Sequence, residues 1–261
     1  MIQLSHIVQT LLPLFYSGTL FFYVLIYFKK EEKLWKYASP FMLATFVIHT
    51  FLIYSKSVMY GRCLVYNLFE SMTLISFTII LMYMFIERLT KEKSIGMFFV
   101  LLALLFQTLS DVFSPLEKLD LAEVSKLFNP FVGAYVSALI ICYTAFTVSA
   151  LYSVLYLVLH KQISTSKFGL IFDRLPSLQL LDRMNSISVV IGLVFLSLAI
   201  FVSLGNGFES ILEIKVLTPI IIFIVYFISV LMRKFGNVKS TTAILFSLIG
   251  FLITLFSMSR I

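Results

Sequence analysis

Eight apolar runs, each long enough to cross a bilayer as a helix, govern what this chain can fold into. They fall near residues 7–28, 37–55, 66–86, 94–110, 131–159, 187–205, 216–232 and 240–258. A helix of about 20 apolar residues spans the ~30 Å hydrocarbon core, and in that solvent every backbone N–H and C=O must be bonded within the protein. With 60% of residues hydrophobic and 13% charged, a water-soluble fold has nowhere to hide this surface. The segments between runs are too short for a second domain. We therefore expect an all-α, polytopic integral membrane helical bundle of about eight transmembrane helices, one domain over residues 1–261. The first run ends in Lys29-Lys30-Glu31-Glu32 and has no small-residue cleavage site, which predicts a retained helix and not a signal peptide.

Orientation follows from the basic residues. The connections after runs one, three, five and seven hold fourteen of the 20 Lys and Arg: Lys29, Lys30, Lys33 and Lys36; Arg88, Lys91 and Lys93; Lys161, Lys167, Arg174 and Arg183; Arg233, Lys234 and Lys239. The opposite side holds Lys56, Arg62, Lys118, Lys126, Lys215 and Arg260. The richer side is expected to be cytoplasmic, with both termini outside, in a multi-pass protein of the cell (cytoplasmic) membrane. Basic loops beside anionic lipid account for the net charge of +7 without any nucleic acid. The lipid bilayer is the one partner this patterning requires.

Polar residues within and between the runs are the candidates for chemistry. His49 is the only histidine inside a run, in the outer half of the second helix, and Glu70 is the only acidic residue inside a run as drawn. A buried imidazole needs a partner, and Glu70 or Asn67 at the start of the third helix could supply it. An intramembrane ionisable group is either a structural hydrogen bonder or a site, and both readings stay open for His49 and Glu70. Tyr135 follows Asn129-Pro130, an N-cap and first-turn proline, and reads either as an interfacial anchor or as a phenolate ligand. Cys63 and Cys142 lie at different depths and should not meet, and no C-x-x-C-H haem attachment motif is present. Residues 111–130 interleave Asp111, Glu117, Asp120 and Glu123 with leucines, which predicts a short amphipathic surface helix. Leu175, Leu178 and Leu181, with Asp182 and Arg183 opposite, predict a short helix leading into the sixth span.

The order of Arg174-Leu175-Pro176-Ser177-Leu178-Gln179-Leu180-Leu181-Asp182, with Gly192 ten residues on, is not required by membrane solvation. It resembles the "L-P-S-L-x-x-L-D … G" signature of the cytochrome c assembly family, haem-handling membrane proteins of the CcsA, CcmC and HemX type. Further segments match in order: Tyr60 to Ser71 resembles "G-x-x-P-x-x-N-x-x-E-S", with Leu64 where Pro is common. Tyr143-Thr144-Ala145-Phe146 resembles "Y-x-A-F", Glu213-Ile214-Lys215 stands at "D-x-K", and Arg233 with Ala243 to Phe251 resembles the "R … G … A … G-F" close. The resemblance covers about residues 49–256.

The resemblance implies a membrane protein of c-type cytochrome biogenesis that holds or presents haem, or assists a haem-holding partner, at the extracytoplasmic face. Its partners would be other maturation proteins or the apocytochrome, and its candidate haem residues His49, Tyr135, Glu70 and Asn67. No bond-making constellation is evident, so a binding and delivery role is expected in place of an enzyme. The departures fall where haem-handling members of the family hold haem. Their tryptophan-rich outer loop is replaced by Ser203 to Lys215, a degenerate form that keeps Gly205, Glu213 and Lys215. Tyr135 and Leu231 stand where the family has histidines, and the single tryptophan is Trp35. Two alternatives remain: a scaffold or regulator of haem supply that binds no haem, and a small-molecule transporter built around His49 and Glu70.

Overall fold

The computed structural model describes residues 2–29, 32–60, 68–90, 93–113, 130–166, 169, 172–205, 214–235 and 240–258. Eight helices follow one another among these residues: α1 Ile2–Lys29, α2 Glu32–Tyr60, α3 Leu68–Thr90, α4 Gly96–Phe113, α5 Pro130–Ser164, α6 Leu178–Gly205, α7 Ile214–Phe235 and α8 Ser240–Met258. All eight are long and apolar enough to cross a membrane. The all-α, eight-span expectation holds.

The helices group into two compact units, residues 1–128 and 129–261. In unit 1, α1 packs on α2 and α4, and α3 packs on α4 and, less extensively, on α2. In unit 2, α5 packs on α6 and α8, and α7 closes the ring against α6 and α8, with α5 and α6 in the most extensive contact. Buried hydroxyls return to their own helices, as in Thr19 to Phe15 O, Thr144 to Ile140 O and Thr254 to Gly250 O. In hydrocarbon this is how a Ser or Thr side chain avoids going unbonded.

The helix ends depart from the hydropathy limits in an informative way. The sixth run was drawn from 187, with a separate short helix ahead of it, but α6 is continuous from Leu178. Ser177 caps it: its carbonyl accepts from Leu181 N at 3.1 Å and its hydroxyl from Leu180 N at 3.3 Å, the usual service of a serine N-cap. Pro176 just before the cap keeps the chain extended. α5 runs 35 residues, about 52 Å at 1.5 Å per residue, and so projects well beyond the ~30 Å core. It ends in a turn with Ser166 at φ 53°, the left-handed position that stops a helix. Residues 111–113 of the expected amphipathic surface helix belong to α4, and residues 114–129 lie outside the described residues.

Candidate functional site

His49 sits fully buried on α2. Its Nδ1 lies 2.8 Å from the Tyr16 hydroxyl of α1, so the partner comes from α1 and not from Glu70; Asn67 lies outside the described residues. The Phe77 ring meets the imidazole edge-on at 5.3 Å and is itself stacked on Phe46 at 4.8 Å. Nε2 is buried and has no hydrogen-bond partner among the described residues. If Tyr16 donates to Nδ1, Nε2 carries the ring proton and has no lone pair to offer a metal. In the other tautomer it could ligate, with Tyr16 orienting the ring. A porphyrin, however, needs an open face over that nitrogen. In this packing the whole ring is buried, with Tyr16 on its Nδ1 side and Phe77 against its edge.

The signal for Tyr16 was present in the sequence. Tyr16, Thr19, Tyr23 and Tyr27 recur at helical spacing on α1, and all four are buried. They form one inward face. Thr19 continues the seam through a 2.8 Å bond to Thr45 of α2.

Glu70 lies half-buried in the first turn of α3. It shares a hollow of about 10 Å³ with Lys56 of α2 and Thr73 and Ser110, room for about one water. Thr73 and Ser110 bond each other at 2.5 Å. Nearby on α4, Asp111 accepts from Gln107 at 3.0 Å and from Gln9 at 3.2 Å. Glu70 is not the sole acidic residue in a span, as the sequence limits had it: Glu87, Asp111 and Asp182 also lie within membrane-length helices. They were missed because hydropathy ended the third, fourth and sixth runs a few residues short of the helices.

Glu87, near the other end of α3, is the most enclosed of these carboxylates. It accepts from the Tyr23 hydroxyl, and from Ser39 Oγ at 2.5 Å. Lys93, in the turn before α4, stands 3.5 Å away and donates to Ser39 at 2.7 Å. Gly96 lets that turn close down: a Cβ there would strike the Tyr23 and Tyr83 rings.

Tyr135 is half-buried near the start of α5, Gly205 is the last residue of α6, and Lys215 falls in the first turn of α7. Glu213 and Asn67 lie outside the described residues.

The signature stretch occupies unit 2, where Asp182 and Gly192 are engaged in packing. Asp182 pairs with Arg233 of α7 at 3.0 Å, and Arg233 also donates to the Asp182 carbonyl at 3.1 Å and to Asn185 Oδ1 at 2.5 Å. The Asn185 amide donates to Ser149 O at 2.7 Å and to Ser153 Oγ at 2.7 Å, which ties α5, α6 and α7 together. A second layer is aromatic. Phe146 of α5 stacks on Tyr226 of α7 at 3.8 Å and 5°. A Cβ on Gly192 of α6 would run into Phe146, and one on Gly250 of α8 into Tyr226 at 2.8 Å. Each of the four helices thus supplies one member of a glycine–ring–ring–glycine stack.

Comparison with known proteins finds a family over the segment that carries the signature. The family model described as "Cytochrome C assembly protein" matches residues 65–259, a segment that begins after His49. Protein HemX of Brevibacillus brevis is 26% identical over 224 residues, 81% of this chain and 79% of that protein. Protein HemX of Bacillus subtilis (strain 168) is 22% identical over 243 residues, 91% and 88% of the two chains. With the family model matched over most of its length and eight helices able to span a membrane, the chain belongs to the cytochrome c assembly protein family and is a multi-pass membrane protein.

Proposed function

We propose that the protein serves c-type cytochrome biogenesis by assisting a haem-holding partner in the membrane, without holding haem on His49. The observation that carries this reading is the packing of His49: its ring is fully buried, bonded at Nδ1 to Tyr16 and met edge-on by Phe77. The signature residues Ser177, Asp182, Gly192 and Arg233 support it, since each is committed to the frame of unit 2. The changed outer-loop residues Ser203 to Lys215 support it further, because they lack the tryptophans on which haem-handling members rely.

The test is genetic and chemical together. Membranes from cells lacking the protein are assayed for covalently bound haem by peroxidase staining, then again after complementation. Wild type and His49→Gln are expected to restore staining alike, at matched protein levels. Restoration by wild type alone, with His49→Gln present and folded, would contradict the proposal.

The departures from the haem-loop motif favour a second reading, a family-fold regulator of haem supply. It predicts that loss of the protein changes total cellular tetrapyrrole while the staining pattern per unit haem stays constant. A cation transporter built on Glu70 has less to recommend it, because Lys56 places an opposite charge in the same hollow.

A further inference from the structure

A cavity of about 470 Å³ opens in unit 1 between Met42 and Leu43 of α2, Met84, Glu87 and Arg88 of α3, and Lys93 of the following turn. Its volume is within the range of small-molecule sites. Its two halves differ in chemistry. Met42, Leu43 and Met84 form an apolar wall, and thioether side chains adapt to a flexible hydrocarbon. Arg88, Lys93 and Glu87 form a charged lip.

The charges of the lip do not cancel. Glu87 is occupied by Tyr23, Ser39 and Lys93, whereas Arg88 is exposed and makes no ion pair among the described residues. Among the described residues of the lip one cation is therefore in excess, above an apolar wall. Lys93 is held toward the cavity by Ser39 at 2.7 Å. The end of the bundle that carries this lip also carries Lys29 and Lys36 at the adjoining ends of α1 and α2.

We propose that this cavity binds one anionic phospholipid, its phosphate held by Arg88 and Lys93 and its first acyl methylenes lying along Met42, Leu43 and Met84. A basic pocket between transmembrane helices is suited to a lipid headgroup. A soluble anion would leave the apolar wall without a partner. Glu87 keeps Lys93 in place and prevents the lip from binding anions indiscriminately.

The test uses the full chain in detergent, titrated with dilauroyl phosphatidylglycerol or dilauroyl phosphatidylcholine and read by native mass spectrometry. One phosphatidylglycerol per chain is expected, preferred about thirtyfold over phosphatidylcholine, the weight of two basic side chains near an anionic headgroup. Arg88→Gln should weaken phosphatidylglycerol roughly fivefold and phosphatidylcholine less, because its choline already offsets the phosphate charge. Met84→Trp should fill the cavity and weaken both, with circular dichroism melts confirming that the variants are folded. Equal affinity of wild type for the two lipids would overturn the proposal, as would variants that bind phosphatidylglycerol like wild type. Millimolar inorganic phosphate binding as tightly as the lipid would also overturn it, by making the anion alone the ligand.

Discussion

At the residue scale, Gly192 shows how the family signature works as packing. Phe146 cannot retreat from a new Cβ, because it is stacked on Tyr226, and Tyr226 is backed by Gly250. Overpacking costs about 1–3 kcal/mol, against which alanine regains about 1 kcal/mol of helix propensity. Gly192→Ala should therefore destabilise unit 2 by up to about 2 kcal/mol, and Gly192→Leu by more, measured by denaturation in mixed micelles. Arg233 makes the complementary case. Removing it strands Asp182 and leaves the Asn185 side-chain oxygen only the 3.5 Å bond from Ser247 Oγ. The loss should be about 2 kcal/mol, less than the 3–5 kcal/mol typical of a broken buried pair, because the Asp182 side chain remains 29% exposed. Adding Asp182→Asn to Arg233→Ala should recover part of the loss, and strictly additive effects would show that the pair is not coupled. Gly192, Asp182 and Arg233 were legible as motif letters. Asn185, Phe146 and Tyr226 as their partners were not, since an apolar stripe does not say which ring faces which glycine.

At the element scale, hydropathy located every helix but few helix ends. Hydropathy measures what lipid will accept, whereas a helix continues as long as its polar groups find partners. α6 starts at Leu178 because Ser177 caps it, and it carries Asp182 and Asn185 because Arg233, Ser149 and Ser153 receive them. Ser177→Ala should cost about 1 kcal/mol and fray the first turn, seen as faster amide exchange at Leu180 and Leu181 while the rest of α6 stays protected. Unchanged exchange there would show that the cap is dispensable. Glu87 escaped notice for the same reason: the third run closes at residue 86, one position short of this buried carboxylate.

At the scale of the whole molecule, eight spans and the charge bias together predict that both termini face away from the cytoplasm. Cysteines introduced at exposed Lys161 and Lys234 should react with membrane-permeant maleimide only, in intact cells, and impermeant labelling at either would reverse the topology. The fold class was legible because apolar length alone decides it. The state of His49 was not, because its partner Tyr16 is 33 residues away and its enclosure by Phe77 is a matter of packing. The central claim is that the family frame persists here without haem on His49. It is tested most directly by the Soret spectrum of protein purified from haem-sufficient cells and then titrated with haem, as wild type and as His49→Gln. The account predicts the same absorbance for both at every haem concentration; a Soret band present in wild type and absent from folded His49→Gln would contradict it.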